Sequence, residues 1–188
     1  GEWVIESALT QMEIWQAAGL ALPISVNVGA RQLQQAGFVE RLRALLGAHP
    51  KVRPSDLELE VLETSALQDL VQISSVIAAC GEIGVSFALD DFGTGYSSLA
   101  YLKRLPVTRL KIDQSFVQNL GVKEDAAAIV ECVARLGRAL GLVVTAEGVE
   151  TTAQHRFVRA AGCQQIQGYM LSKPILPAEI SELLRNPG

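Results

Sequence analysis

The sequence predicts an α/β fold in which a parallel sheet curves into a (β/α)8-type barrel. Six short apolar segments alternate with amphipathic segments along the 188 residues, which is the pattern of a parallel sheet with connecting helices. Every predicted strand delivers a polar or ionisable residue at or near its end, and in a barrel such ends meet at one mouth. A doubly wound sheet is the alternative, but the sequence has neither GxGxxG nor a Walker loop to support it.

Composition limits the classes of partner. Hydrophobic residues make up 49% of the chain and charged residues 19%, so it is long and apolar enough for one packed domain. The net charge of −4 predicts no general attraction to a nucleic acid polymer or to anionic lipid. No apolar run approaches the roughly 20 residues of a membrane span, and no signal peptide is evident at the start. Three widely spaced cysteines without a CxxC pair indicate a reducing compartment, so we expect a cytoplasmic location without membrane contact.

The first half of the chain predicts three strands and the helices between them. Apolar residues such as Met12 and Trp15, three or four positions apart, predict an opening helix over 2–19. A strand at 24–28 leads into a helical stretch over 30–48, which Gly37 could break. Strict alternation predicts a second strand at 57–63, followed by a helix over 70–83 and a third strand at 85–90.

The second half continues the alternation. A short helix over 98–104 ends before Pro106, and strand 109–113 precedes another short helical segment. Ile129, Val133 and Leu136 mark one face of a helix over 124–140, which Gly141 ends. The remaining elements are a strand at 142–147, a helix over 151–161, a strand at 164–168 and a final helix over 177–185.

The polar residues near the strand ends form a chemically coherent set. Carboxylates dominate it, together with two amides and one lysine, and thiolate and imidazole are missing. Such oxygen donors suit Mg²⁺, Mn²⁺ or Ca²⁺ acting on a phosphate-bearing substrate, and they make zinc less favoured. In chain order the set is Asn27, Glu60 with Glu63, Asp90 with Asp91, Lys111 with Asp113, Glu147 with Glu150, and Gln167.

Asp90 and Asp91 pose a geometric problem, because consecutive residues of a regular strand point to opposite faces. They can serve one site only where the strand ends and the backbone turns. Gly93 and Gly95 follow directly, and glycine reaches conformations that other residues avoid. We therefore expect these glycines to provide the turn that brings both acids to one site.

Each of these residues also has a plain structural interpretation. Asn27 could cap the next helix, Asp113 is a natural N-cap, and Glu63 could brace a turn. Lys111 could serve only as an ion-pair partner, and Glu147 before Gly148 could be turn chemistry. Together, however, these interpretations require unrelated structural roles at six successive strand ends, so a shared site is favoured.

The motifs that carry these residues resemble the EAL domain family of bacterial cyclic-di-GMP phosphodiesterases over essentially the whole chain. The resemblance implies a modified TIM-like (β/α)8 barrel that hydrolyses cyclic-di-GMP to linear pGpG with Mg²⁺ or Mn²⁺ at a two-metal site. The motifs are SVN at 25–27, EVLE at 60–63, DDFGTGYSSL at 90–99, LKID at 110–113, AEGVET at 146–151 and QGY at 167–169.

The resemblance also implies roles for individual residues. Metal ligands would be Asn27, Glu60, Asp90 and Asp91, with Asp90 bridging two ions. Lys111 and Glu147 would orient or activate the attacking water.

Gln167 would support that water or the metals. Glu63 would hold the loop after Asp91, which the family ties to metal binding and dimer contact, and Glu150 and Asp113 would act around the site. No substrate-binding residue is assigned.

One departure from the family is serious. The strand with the Glu-Ala-Leu motif, whose glutamate is a metal ligand in the family, is missing, so residues 1–188 are expected to form an incomplete domain with about six βα units and without the first two strands. We expect cyclic-di-GMP as the ligand, a homodimer or larger assembly, and regulatory domains in a longer parent protein. The alternatives are a catalytically impaired module that binds cyclic-di-GMP or a protein, and a different metal-dependent barrel enzyme.

Overall fold

The sheet has six parallel strands that follow one another in chain order. The computed structural model describes residues 1–67, 69–94 and 99–185. Because the strand order never reverses, the described sheet has no switch point of the doubly wound kind. The predicted α/β class with a partial TIM-like barrel is confirmed. The strands are β1 (Ile24–Asn27), β2 (Leu57–Leu62), β3 (Ser86–Phe92), β4 (Arg109–Ile112), β5 (Val143–Ala146) and β6 (Gln165–Ile166).

Helices connect the strands, and the longer ones match the predicted segments closely. The predicted break near Gly37 is confirmed, because Gly37 has a φ of +76° and begins a separate helix. A one-turn helix after β2 and a short 3₁₀ helix at Pro54–Asp56 were not predicted. The α-helices are α1 (Glu2–Ala17), α2 (Ala30–Leu33), α3 (Phe38–Ala48), α4 (Glu63–Ala66), α5 (Leu70–Glu82), α6 (Leu99–Leu102), α7 (Gln114–Gln118), α8 (Glu124–Ala139), α9 (Thr152–Ala161) and α10 (Pro177–Arg185).

The two faces of the sheet differ in chemistry. Alternate residues of the strands face the helices and form the apolar core, and the intervening residues carry most of the polar groups. Leu59, Phe87 and Leu110 are at most 1% exposed on the helix side. Burial of these side chains drives folding, so the other face of the strands is free to carry functional groups. Other core members on the strands are Leu57, Val61, Leu89, Ile112, Val144 and Ala146.

The sixth strand is shorter than predicted. Gln165–Ile166 is the part that pairs with β5, whereas the prediction ran from 164 to 168. Gly168 has a φ of +153°, and a Cβ placed there would lie 2.3 Å from the carbonyl oxygen of Val149. The chain therefore leaves the ladder so that its backbone can pack closely on Val149, which only glycine allows.

Helix caps decide two of the structural interpretations. The side chain of Asp113 caps α7 by accepting a hydrogen bond from the Ser115 N–H at 2.9 Å. The proposed cap by Asn27 is wrong, because the N-cap of α2 is Gly29 and no side chain caps that helix. The predicted turn at Gly95 lies outside the described residues, as does the start of the predicted helix at 98. Within the described ranges, no helix has the length and apolarity needed to cross a bilayer.

Candidate active site

A β-bulge brings Asp90 and Asp91 to the same site. Leu89 pairs with Leu110 and Phe92 with Ile112, so β3 has one residue more than β4 between these pairs. Asp91 itself has a φ of +53°, which is uncommon for a residue other than glycine. The backbone therefore leaves the regular strand conformation already at Asp91, two residues before Gly93, which has a positive φ of +103° as well. Bulges of this kind re-aim side chains and recur beside active sites.

Lys111 is the centre of the site. Its Nζ lies 2.7 Å from Glu60 Oε2, 3.0 Å from Asp90 Oδ1 and 2.6 Å from Glu147 Oε1. The side chain of Lys111 is 4% exposed, so the ammonium is almost wholly removed from water. A buried ammonium is tolerated only when partners satisfy it, and carboxylates from three strand ends do so here.

Three carboxylates near this ammonium could hold a metal ion. Among the described residues, Asp90, Asp91 and Glu147 offer oxygen atoms that all lie within 4.8 Å of one another. Glu60, which the resemblance places among the ligands, is engaged by Lys111 instead. Carboxylate oxygens without imidazole or thiolate are the donors that hard divalent cations prefer.

The protonation of the site follows from burial and charge. Burial raises the pKa of Asp91, and the neighbouring Asp90 carboxylate and a hydrogen bond with Asp113 raise it further. Burial also raises the pKa of Glu147, although its hydrogen bond with Lys111 acts in the opposite direction. Burial lowers the pKa of Lys111, but hydrogen bonds to Glu147 and Glu60 outweigh it, and the net pKa lies above its usual value. Lys111 therefore stays charged. Its single positive charge is smaller than the combined negative charge of the surrounding carboxylates when these are ionised.

Glu63 and Asp113 flank the acids. Glu63 is 1% exposed, and its Oε2 accepts a hydrogen bond from the Gly93 N–H at 2.9 Å. The first residue of α4 is thereby tied to the segment that follows Asp91. Asp113 caps α7, and its carboxyl group also raises the pKa of Asp91, so it lies between the next helix and the acid pair.

The edge strands hold the remaining predicted residues. Asn27 pairs in register with Glu60 at the end of β1 and is exposed. Gln167 is exposed after β6 and lines three cavities: one of about 230 Å³ over the inner face of the sheet, one of about 330 Å³ beside Glu147 and one of about 400 Å³ against α10. Glu150 is exposed and lines the second cavity. The structure thus groups the central residues tightly and leaves Asn27, Gln167 and Glu150 at the rim.

Sequence reasoning missed a second ion pair on the same face. Glu58 and Arg109 lie two residues before Glu60 and Lys111, and Arg109 Nε donates to Glu58 Oε2 at 2.8 Å. The signal was available, because residues two apart in a strand share a face.

Comparison with known proteins identifies the family. The sequence model of the EAL domain matches residues 1–174, so the chain belongs to the EAL domain family. It is 46% identical over 180 residues to the bifunctional diguanylate cyclase/cyclic di-GMP phosphodiesterase MucR of Pseudomonas aeruginosa, covering 95% of this chain and 26% of that protein. The chain thus spans about a quarter of the length of this curated relative.

Solved structures agree with the sequence comparison. The MucR phosphodiesterase in complex with c-di-GMP superposes with a TM-score of 0.91 at 43% identity, covering 96% of this chain and 73% of that one. The manganese/cy-diGMP complex of Klebsiella pneumoniae BlrP1 gives a TM-score of 0.82 at 29% identity, covering 92% of this chain and 43% of that one. Relatives in the family are thus known with the cyclic dinucleotide and with a divalent metal.

Proposed function

We propose that this chain carries the catalytic site of a phosphodiesterase that hydrolyses cyclic-di-GMP to linear pGpG with Mg²⁺ or Mn²⁺. The observation that carries the proposal is the Lys111 ammonium held by Glu60, Asp90 and Glu147 with Asp91 beside it. The relatives named above extend the chemistry to the cyclic dinucleotide.

The donor set fits a divalent cation. Asp90, Asp91 and Glu147 cluster closely, and burial together with the neighbouring carboxylates raises the pKa of both Asp91 and Glu147, a cost of ionisation that a cation would relieve. Asp90 and Asp91 would hold the metals together with Asn27 and Glu60, which requires Glu60 to exchange its contact with Lys111. When bound, the metal ions neutralise phosphate charge and lower the pKa of a coordinated water.

The chain's own residues supply proton transfer and charge stabilisation. Glu147 has a raised pKa and lies at the mouth of the site, so it suits the acceptance of a proton from the attacking water. Lys111 stays protonated and can stabilise the extra negative charge on the phosphorus oxygens in the transition state. Because Lys111 binds Glu147 at 2.6 Å, the two can act as a unit.

The surrounding residues support this core. Glu63 would fix the segment after Asp91 through its bond to the Gly93 N–H, and Asp113 would orient Asp91. Gln167 and Glu150 line the cavity beside Glu147, where they would contact substrate or water.

Substitution of Glu147 tests the proposed function. Glu147→Gln should lower hydrolysis of cyclic-di-GMP with Mn²⁺ by at least about a hundredfold, because the amide cannot accept a proton at neutral pH. Glu131→Gln on the exposed side of α8 is the matched control and should leave the rate unchanged. Equal rates in both variants would remove Glu147 from the mechanism. Tight binding of cyclic-di-GMP without hydrolysis in the parent chain would instead indicate a module that only binds this ligand.

We further propose that this EAL domain is cytoplasmic and associates into a homodimer or larger assembly. β1 and β6 are the two edges of the described sheet, and each has unpaired backbone groups that invite another strand. Trp3 is 75% exposed and Ile14 56%, which adds apolar surface on α1. The likeness to longer relatives supports further regulatory domains in the parent protein.

Sedimentation and thermal melting test this association. The 188-residue chain should form a dimer or larger assembly, or melt at low temperature with poor cooperativity, since β1 and β6 each pair with one neighbour only in the described sheet. A stable, cooperative monomer with full phosphodiesterase activity would contradict it.

A further inference from the structure

A polar layer lies two residues before Lys111 along the strands, and its centre is the partly buried ion pair between Glu58 and Arg109. Glu58 is 8% exposed, and Arg109 Nε donates to its Oε2 at 2.8 Å. The side chain of Arg109 is 21% exposed. The pair is therefore largely removed from water, and its geometry is well defined.

The layer reaches across the whole sheet. Ser25 Oγ on β1 donates to Glu58 Oε1 at 3.0 Å, and Arg109 Nη1 donates to Thr145 Oγ1 at 3.2 Å. The same Nη1 also donates to Gln165 Oε1 on β6. Arg109 is thus fixed on both sides by groups from β2, β5 and β6.

Two ion pairs of the same kind cross β3. Glu58 and Glu60 project from one face of β2, and Arg109 and Lys111 project from the same face of β4. Neighbouring strands lie about 4.8 Å apart, so β2 and β4 are separated by roughly twice that distance. Long side chains from β2 and β4 can meet across β3 only where the β3 side chain between them is small. Ala88 is such a residue, since it pairs in register with both Glu60 and Arg109.

A purely structural role explains this arrangement poorly. A buried ion pair loses about as much through desolvation as it gains by attraction, so well-packed apolar residues would stabilise the sheet equally well. What the pair does supply is a fixed spacing and direction for the strand residues that follow. Lys111 has a long flexible stem, and Arg109 lies two residues before it on the same face of β4, where both side chains line one cavity of about 230 Å³.

We propose that Glu58 and Arg109 are positioning residues, whose ion pair under the site holds the Lys111 ammonium in place between Glu60, Asp90 and Glu147. This inference rests on the proposed phosphodiester hydrolysis for its consequence in catalysis. The claim that the ion pair fixes the position of the Lys111 ammonium does not depend on that function.

The double variant Glu58→Leu with Arg109→Met tests the proposal, because it removes the pair without leaving an unpaired charge. The matched control is Glu131→Leu with Arg135→Met, the exposed pair on α8. Lys111 is the buried lysine of the chain, whereas Lys51, Lys103, Lys123 and Lys173 are exposed. A slowly exchanging ammonium signal in a ¹H–¹⁵N spectrum of lysine-labelled protein therefore reports on Lys111 directly.

We expect the double variant to shift or lose that ammonium signal, and to lower kcat for cyclic-di-GMP by about tenfold or more with KM within about twofold, since a small misplacement of a catalytic group is costly. The control should change neither. If the double variant does not fold, Arg109→Lys serves instead, because it keeps the charge but loses the forked contacts with Thr145 and Gln165. It should shift the signal and lower kcat by a smaller factor.

An unchanged ammonium signal and unchanged kcat in a folded variant of either kind would overturn the proposal. Absence of hydrolysis in the parent chain would count against the proposed function only, since the ammonium signal still decides whether the pair positions Lys111.

Discussion

The central strands and the edge strands hold their site residues in different ways. Glu60, Asp90 and Lys111 come from β2, β3 and β4, and each is at most 8% exposed. Asn27 and Gln167 come from the ends of β1 and β6, and both are exposed. A central strand has a neighbour on either side to fix its side chains, whereas an edge strand has one.

This difference separates two kinds of contribution to the site. The central residues form a charged network that exists before any ligand binds, so they set the geometry of the site. The edge residues gain their partners only from a ligand, a metal or further strands. Substitutions in the centre should therefore alter stability and function together, and those at the edge should alter binding alone.

The largest effect is expected from loss of the central cation. Lys111→Met leaves Glu60, Asp90 and Glu147 facing one another, so the metal-free chain should lose about 3 kcal/mol of unfolding free energy at pH 7. Hydrolysis of cyclic-di-GMP should fall by at least about a hundredfold. Urea denaturation with and without Mn²⁺ measures the first effect, and Mn²⁺ should recover part of it.

Lys103→Met is the control, since Lys103 is exposed and its loss should change stability by under about 0.5 kcal/mol. Equal stability of the Lys111 and Lys103 variants would show that the network does not set the geometry of the site.

A smaller effect separates the centre from the edge in metal binding. Asp90→Asn should weaken Mn²⁺ binding by at least about tenfold at both ions, because Asp90 is the proposed bridge. Asn27→Ala should weaken it by only a few fold and leave the unfolding free energy unchanged. Isothermal titration calorimetry gives both affinity and stoichiometry. Unchanged binding in the Asp90 variant would refute the bridge, and an equal loss in both variants would remove the distinction between centre and edge.

The smallest effect concerns pH. Since the pKa of Asp91 is raised in the folded chain, the folded state holds that proton to a higher pH than the unfolded state. The contribution of Asp91 to the unfolding free energy therefore falls as the pH rises from the ordinary carboxyl range through the raised pKa. Asp91→Asn should stabilise the metal-free chain at pH 7 by under about 1 kcal/mol, a modest gain because solvent screens this partly exposed group.

Urea midpoints between pH 4 and pH 8 check the Asp91 effect, with Asp125→Asn on α8 as the control. Asparagine tolerates a positive φ nearly as well as aspartate, so the backbone at position 91 is preserved. A variant less stable than the parent at pH 7 would contradict the sign.

Local patterns predicted the element order and the polar strand ends, because strand periodicity and helix spacing are properties of a few neighbouring residues. The bulge at Asp91 could not be predicted, since it depends on the register between β3 and β4. The ion pair of Glu58 with Arg109 was missed for a related reason. Its members come from strands that do not touch, and the sequence does not say which side chain lies between them.

The residue that lies between these side chains is Ala88 on β3. It is fully buried and carries a single methyl group, yet it sits in register between Glu60 and Arg109, where the side chains of β2 and β4 meet across β3. A larger residue there would separate both ion pairs at once without altering any charge. The space that alanine leaves at position 88 is thus a structural requirement of the site, although its side chain carries no reactive group.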